Sequence, residues 1–214
     1  MSPTSIDPWQ RVAVLAVTHH SAAVIGDCLR SLGGAQEVIV VDNASEDASR
    51  AIVAGAVPHV RLFHNRVGLG FGNGANIGLA AVTREFVLLI NPDAVMAEGA
   101  VAKLLAAADR YPGAAMLTPT ILDRHGAHVP SHDVGVLDRG RFPAGRRDPR
   151  PEGDLSANYL SGAIMLLRMQ ALREVGFFDP DIFLYYEDDH LCLRLRRGGW
   201  SLVLVEAAVA SHIG

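Results

Sequence analysis

Cysteine is nearly absent from this chain: Cys28 and Cys192 are the only two in 214 residues. Both fall in apolar patterns of helical spacing, so burial as small hydrophobes is expected rather than a disulfide, and a reducing compartment suits that usage. An apolar run of about 18 residues, the least that a spanning helix needs, is also missing, as is a secretory signal. The expected location is therefore the cytoplasm, with a peripheral contact at the inner face of a membrane left open. Nor is there an excess of positive charge. A formal net charge of −4 gives no electrostatic footprint for nucleic acid, so any anionic ligand must be held by local groups. A dinucleotide fingerprint is lacking too, because no register of the glycine-rich stretch gives Gly-x-Gly-x-x-Gly: counting from Gly68 lands on Asn73, from Gly70 on Ala75 and from Gly72 on Ile77.

What is present is ordinary globular composition, half hydrophobic and 20% charged, in a length that suits one domain. The most informative stretch is EFVLLINPD. Its five apolar residues, 86–90, suit a strand buried on both faces, and Asn91-Pro92-Asp93 must end it because proline cannot continue a central ladder. A carboxylate is left just past the carboxyl end of that strand, the edge where open α/β sheets bind ligands. Asp93 is thus the first candidate for handling a metal or a phosphate.

The rest of the chain repeats this strand and helix grammar. Residues 11–18 read as a strand ending in Thr18-His19-His20-Ser21; Val24, Ile25, Cys28, Leu29 and Leu32 then recur at helical spacing, with Ser21 able to cap the start and Gly33-Gly34 closing it. Residues 37–41 form a second strand before Asp42-Asn43-Ala44-Ser45, and 59–63 a third. Five glycines between positions 68 and 78 then allow close backbone approach to a ligand before a short helical pattern toward Val82. Residues 98–110 read as an amphipathic helix and 114–118 as a further strand. Residues 1–10 look like a loose leader. The span 121–157, rich in Pro, Gly and Arg (Arg139, Arg141, Arg146, Arg147 and Arg150), reads as a mobile loop.

Order resumes with Tyr159-Leu160-Ser161-Gly162-Ala163, a strand over 164–167 and a helix over 169–175. The next helix opens on Glu187, Asp188 and Asp189 and closes on Arg194, Arg196 and Arg197, the polarity that the helix dipole favours. Asp188 shares a face with Leu191, Cys192 and Leu195 at i+3, i+4 and i+7, so it points inward and is a candidate general base. Glu187 aligns instead with His190 and Arg194, within reach of a surface pair. A strand over 201–205 and a tail carrying His212 close the sequence.

Taken in order, VTHHSAAVIGDCLRSL, VVDNASEDAS, HNRVGLGFGNGANIG, LLINPDAV, SGAIMLLR, VGFFDPDIFLYYEDDHLCLRLRRGGW and SHIG resemble the family-two inverting glycosyltransferases, particularly their rhamnosyltransferase-like branch. The resemblance implies a nucleotide-diphospho-sugar transferase fold of GT-A type: α/β, with a mostly parallel central sheet flanked by helices. Residues 11–214 would be one domain, with a nucleotide-sugar half over 11–120 and an acceptor and catalytic half over 158–214. It implies that Thr18, His19, Asp42, Asn43, Asn65, Gly70, Asn76 and Asn91 bind the nucleotide. Asp93, at the position of the family's Asp-x-Asp motif, and His212 would approach a divalent cation, manganese or magnesium, on the diphosphate. Asp188 matches the family's base, and Ser161, Gly162 and Glu187 stand where acceptor or sugar contacts are expected.

The implied donor is a thymidine- or uridine-diphospho-sugar, with rhamnose suggested by the branch. The implied acceptor is a hydroxyl of a glycan, a lipid-linked sugar or a small molecule, as in polysaccharide biosynthesis, and a homodimer is left open. The chain departs from the family pattern at His20, often Asn, and at His190, an acid in relatives; relatives also commonly continue past the histidine. Two rival readings are an inactive nucleotide-sugar-binding homologue serving as a partner-binding subunit, and a sugar nucleotidyltransferase. The second would resemble enzymes with a Gly-rich, basic loop after the first strand, which THHSAAVIG is not.

Overall fold

Strands β1 (Val12–Thr18), β2 (Val38–Asn43) and β4 (Phe86–Ile90) form from apolar, largely branched runs buried at every position, and β3 (Arg61–Asn65), more polar and partly exposed, lies beside β2. Such runs bury both faces of a strand, so a sheet built from them needs helices on either side. In the computed structural model, which describes residues 7–132 and 153–213, those helices are α1 (Ile25–Arg30), α2 (Ser49–Ala56), α3 (Phe71–Leu79), α4 (Ala100–Arg110), α5 (Met169–Val175) and α6 (Glu187–Arg197). The remaining strands are β5 (Ala94–Met96), β6 (Ala114–Leu122), β7 (His128–Val129), β8 (Leu155–Ala157), β9 (Ile164–Arg168) and β10 (Ser201–His212).

Alternation along β1 divides the core. Val12, Val14 and Ala16 pack with buried residues of α1, α2 and α4 on one face, whereas Ala13, Leu15 and Val17 pack with those of α3, α5 and α6 on the other. Cys28 lies in the first cluster and Cys192 in the second, both as free thiols. Within the expected leader, residues 8–10 form a single 3-10 turn capped by the Asp7 side chain, and Trp9 packs against the first cluster.

The sheet runs in the order β3-β2-β1-β4-β9-β6-β10-β5, with β7 on β6 and β8 on β10. It is mixed rather than mostly parallel, which corrects the expectation. The β1–β2, β1–β4, β2–β3 and β6–β10 ladders are parallel, but β9 lies between β4 and β6 and is antiparallel to both. The reversal has a consequence for the site. Parallel strands deliver their carboxyl ends to one edge of the sheet, and an antiparallel neighbour delivers its amino end to that same edge. Ser161, Gly162 and Ala163 therefore arrive beside Asn91, whose N–H donates to the Ala163 carbonyl at 2.8 Å.

β10 is longer than its apolar core suggests. After a bulge between Val205 and Val209 it continues on β6 and then pairs antiparallel with β5, setting His212 opposite Ala94. The span expected to be a mobile loop, 121–157, contains the end of β6, β7 and β8, and Arg139, Arg141, Arg146, Arg147 and Arg150 lie outside the described residues.

Candidate active site

The carboxyl ends of β1, β2 and β4 open onto a cavity of about 450 Å³ lined by His19, Asn43, Gly70, Phe71, Asn91 and Phe183 among others. Asn43, the last residue of β2, ties its walls together. Its Nδ2 donates to the Gly70 carbonyl at 3.0 Å, and its Oδ1 accepts from Leu69 N at 2.9 Å and from Asn65 Nδ2 at 3.2 Å. The Asn43 carbonyl meets His19 Nδ1 at 2.8 Å.

The glycine-rich stretch is mostly helix, α3, and its glycines serve packing as well as the cavity. A Cβ at Gly78 would stand 2.2 Å from the Leu15 side chain and one at Gly74 2.9 Å from that of Val17, so their absence lets α3 lie directly on β1. Gly70 has φ +83°, and a Cβ there would fall 1.8 Å from the Phe183 carbonyl oxygen. Only glycine fits both that backbone and that approach.

Four residues expected to meet the nucleotide line neither this cavity nor its neighbour. Thr18 is fully buried at the end of β1. Asp42 is also fully buried; its Oδ2 accepts from Ser45 N at 3.2 Å and pairs with His64 Nδ1 at 2.8 Å, while Oδ1 has no partner among the described residues. Asn65 reaches back to Asn43. Asn76 clasps the backbone of Phe178, its Nδ2 donating to the carbonyl and its Oδ1 accepting from the N–H, both at 2.9 Å. Short polar side chains near a sheet edge serve the backbone as readily as a ligand, and the resemblance that assigned these four to the nucleotide does not separate the two roles.

A second cavity, of about 240 Å³, shares Phe71, Asn91 and Leu184 with the first and adds Ser161, Gly162, Tyr185, Glu187, Asp188 and His212. Asp188 Oδ2 accepts from Gly162 N at 2.8 Å and from the Tyr159 hydroxyl at 2.9 Å; Oδ1 accepts from Asp189 N at 3.0 Å. Burial, reinforced by the Asp188 carboxylate, holds the Tyr159 phenol well above its ordinary pKa, so it remains a donor.

Glu187 departs from its expected surface pairing. It is buried against α3, where a Cβ at Gly72 would stand 3.5 Å from its own Cβ, and its Oε2 has no partner among the described residues. Desolvation, with some repulsion from Asp188 and Asp189, raises its pKa. Arg194 instead donates to the carbonyls of Val175, Gly176 and Phe177. Helical periodicity placed Glu187 on an outer face, but α3 covers that face at the first turn.

Asp93 immediately precedes β5, at its seam with the end of β10. Its Oδ1 is 3.0 Å from His212 Nε2, and its carbonyl accepts from Ile213 N at 3.2 Å. Among the described residues no cluster of three or more His, Cys, Asp or Glu side chains could hold a metal. One carboxylate and one imidazole fit a magnesium- or manganese-like cation only if phosphate oxygens and water complete its shell.

The Glycosyl transferase family 2 model matches residues 13–176. The chain belongs to that family. N-acetylglucosaminyl-diphospho-decaprenol L-rhamnosyltransferase of Mycobacterium tuberculosis is 31% identical over 229 residues, covering 93% of this chain and 75% of that protein. Among solved structures, S. aureus TarS 1–349 in complex with UDP-GlcNAc has a TM-score of 0.73 at 17% identity, over 95% of this chain and 59% of that one. The mannosyltransferase PcManGT from Pyrobaculum calidifontis, in complex with GDP-Man and Mn2+, has a TM-score of 0.69 at 20% identity, over 96% and 58%. The chain thus spans less than two thirds of either solved chain, and both likenesses establish the GT-A-like fold. This family 2 glycosyltransferase has no helix, among the described residues, long and apolar enough to cross a membrane.

Sequence reasoning passed over part of the site. Phe183, Leu184 and Tyr185 wall the two cavities, and Phe183 and Tyr185 are more than 60% exposed. The non-glycine residues with left-handed backbone among those described are His20, Ala44, Tyr185 and Tyr186. All lie in loops at this edge, and such backbone is strained and gathers at functional sites. No local sequence pattern announces it, since none of the four is Gly or Asn.

Proposed function

We propose that the chain carries out metal-dependent, inverting transfer of a sugar from a nucleoside-diphospho-sugar to an acceptor hydroxyl, with Asp188 as the general base. One observation carries the reading: two cavities meet at Phe71, Asn91 and Leu184, with Asp188 on the wall of the smaller. A nucleoside diphosphate in the larger would set its sugar at that junction, and an acceptor in the smaller would bring its hydroxyl to Asp188. In the transfer, His19, Asn43 and Gly70 hold the nucleotide, and Ser161, Gly162 and Glu187 orient the sugar and the acceptor. Asp93 and His212 would hold a divalent cation, which when bound offsets charge building on the leaving diphosphate.

The rhamnosyltransferase relative supports rhamnose as the sugar and a lipid-linked glycan as the acceptor. A uridine or thymidine base is consistent with the fold neighbour solved with UDP-GlcNAc. An acceptor of that kind, met at the inner membrane face, would need only a peripheral contact from a single domain of cytoplasmic location.

The test is manganese-supported turnover of thymidine-diphospho-rhamnose and uridine-diphospho-sugars, with water as the minimal acceptor. Asp188→Asn keeps the side-chain shape and removes its basicity. Loss of a general base typically costs about 100-fold to 10,000-fold in rate, so kcat should collapse while donor affinity in calorimetry stays near wild type. Asp189→Asn should cost far less. Turnover by Asp188→Asn within a few-fold of wild type would sink the assignment.

A further inference from the structure

The geometry points to Tyr159 as the positioning residue that decides which oxygen of Asp188 takes the acceptor's proton. This inference rests on the reading of Asp188 as the base. A carboxylate offers about four lone-pair directions, two on each oxygen. Among the described residues, three are filled at Asp188. Oδ2 accepts twice, from Gly162 N at 2.8 Å and from the Tyr159 hydroxyl at 2.9 Å, and Oδ1 accepts once, from Asp189 N at 3.0 Å. The direction left over belongs to Oδ1.

Two of these donors reach across from outside the helix. Gly162 holds its N–H close because it has no side chain: a Cβ would stand 3.0 Å from Oδ2. Tyr159 lies between β8 and β9, and its ring packs against the core cluster that α3, α5 and α6 share with the sheet. The hydroxyl is therefore delivered from a packed ring across 29 positions of sequence, rather than from a neighbour that moves with Asp188. A side chain locked by packing is what a precisely held reacting group requires.

With Oδ2 saturated, the chemistry runs through Oδ1. The acceptor O–H bond breaks and its proton passes to Oδ1; the electron pair left on the acceptor oxygen forms the new bond to the anomeric carbon. The bond from that carbon to the diphosphate oxygen breaks, and its pair departs on the nucleoside diphosphate. Removing the Tyr159 hydroxyl frees a lone pair on Oδ2, so the carboxylate can rotate and offer the wrong oxygen to the acceptor.

The experiment is a double-mutant cycle of Tyr159→Phe and Asp188→Asn. It reads manganese-supported hydrolysis of whichever donor the wild type turns over, thymidine-diphospho-rhamnose or uridine-diphospho-N-acetylglucosamine. Phenylalanine keeps the ring and its packing. Tyr159→Phe should lower kcat about tenfold, the size of one lost hydrogen bond to a charged group, with donor KM and melting temperature near wild type. In the Asp188→Asn background the same change should do nothing further, because Tyr159 acts through that carboxylate. A Tyr159→Phe kcat within twofold of wild type, or an equal loss in both backgrounds, would overturn the positioning role and leave Asp188 as the base. Wild-type turnover by Asp188→Asn alone would overturn the base and the positioning role together.

Discussion

Glu187 carries the clearest electrostatic signature at the residue scale. Its carboxyl is buried, one oxygen has no partner among the described residues, and desolvation raises its pKa. A carboxyl of this kind binds its proton more tightly in the folded chain than in the unfolded one. Its contribution to stability is therefore present below the ordinary glutamate value of about 4.3 and is lost as pH rises through the raised folded value. Glu187→Gln removes that titration. The melting temperature of the variant relative to wild type should thus rise between about pH 4 and pH 7, and calorimetry at the two pH values measures it. A difference that stays flat would mean that the carboxyl is solvated in solution. The sequence told only half of this, since it put Glu187 beside Asp188 at the helix start but could not say that α3 lies over that turn.

At the scale of elements, the backbone of Phe183 closes on Gly70, the residue before α3, and both line the larger cavity. Gly70 is the pivot of that contact, with φ +83° and the Phe183 carbonyl where a Cβ would be. Gly70→Ala should cost at least the 1–3 kcal/mol or so of a left-handed non-glycine residue. In a domain of this size that is a fall of roughly 2–10 °C in melting temperature, and calorimetric affinity for UDP should fall with it. A variant that melts with wild type would show that Phe183 does not pack there. The stretch from Gly68 to Gly78 made its helix hard to see, because glycine is a poor helix former and its density suggested a loop. The legible signal was the spacing of Gly74 and Gly78, one face of a helix made smooth enough to lie on β1. The role of Asn76 in packing was not legible for a related reason: its two bonds to Phe178 depend on a segment 102 positions away.

For the molecule as a whole, apolar runs and their breaks located most strands and helices, and the ordered motifs located the family. What local pattern cannot carry is strand direction, so the antiparallel insertion of β9 was not foreseen, nor was the bulge that lets β10 run on to His212. That extension closes the sheet's far edge on Asp93 and brings together two donors from distant parts of the chain, 3.0 Å apart. Because no third His, Cys, Asp or Glu joins them among the described residues, a cation there depends on the diphosphate for the rest of its shell. Manganese alone should then leave the melting temperature nearly unchanged, and so should thymidine diphosphate with a chelator. Together, at about 100 times the dissociation constant of the ternary complex, they should add about 2.7 kcal/mol, a rise of roughly 5–10 °C for a chain of this length. Asp93→Ala should remove most of that joint shift and leave binding of bare thymidine as it was. If manganese by itself shifted the wild-type melt as far as the pair does, the cation would be held by protein groups alone. If the alanine variant lost thymidine as well as the diphosphate, Asp93 would be holding the β5–β10 seam rather than a metal.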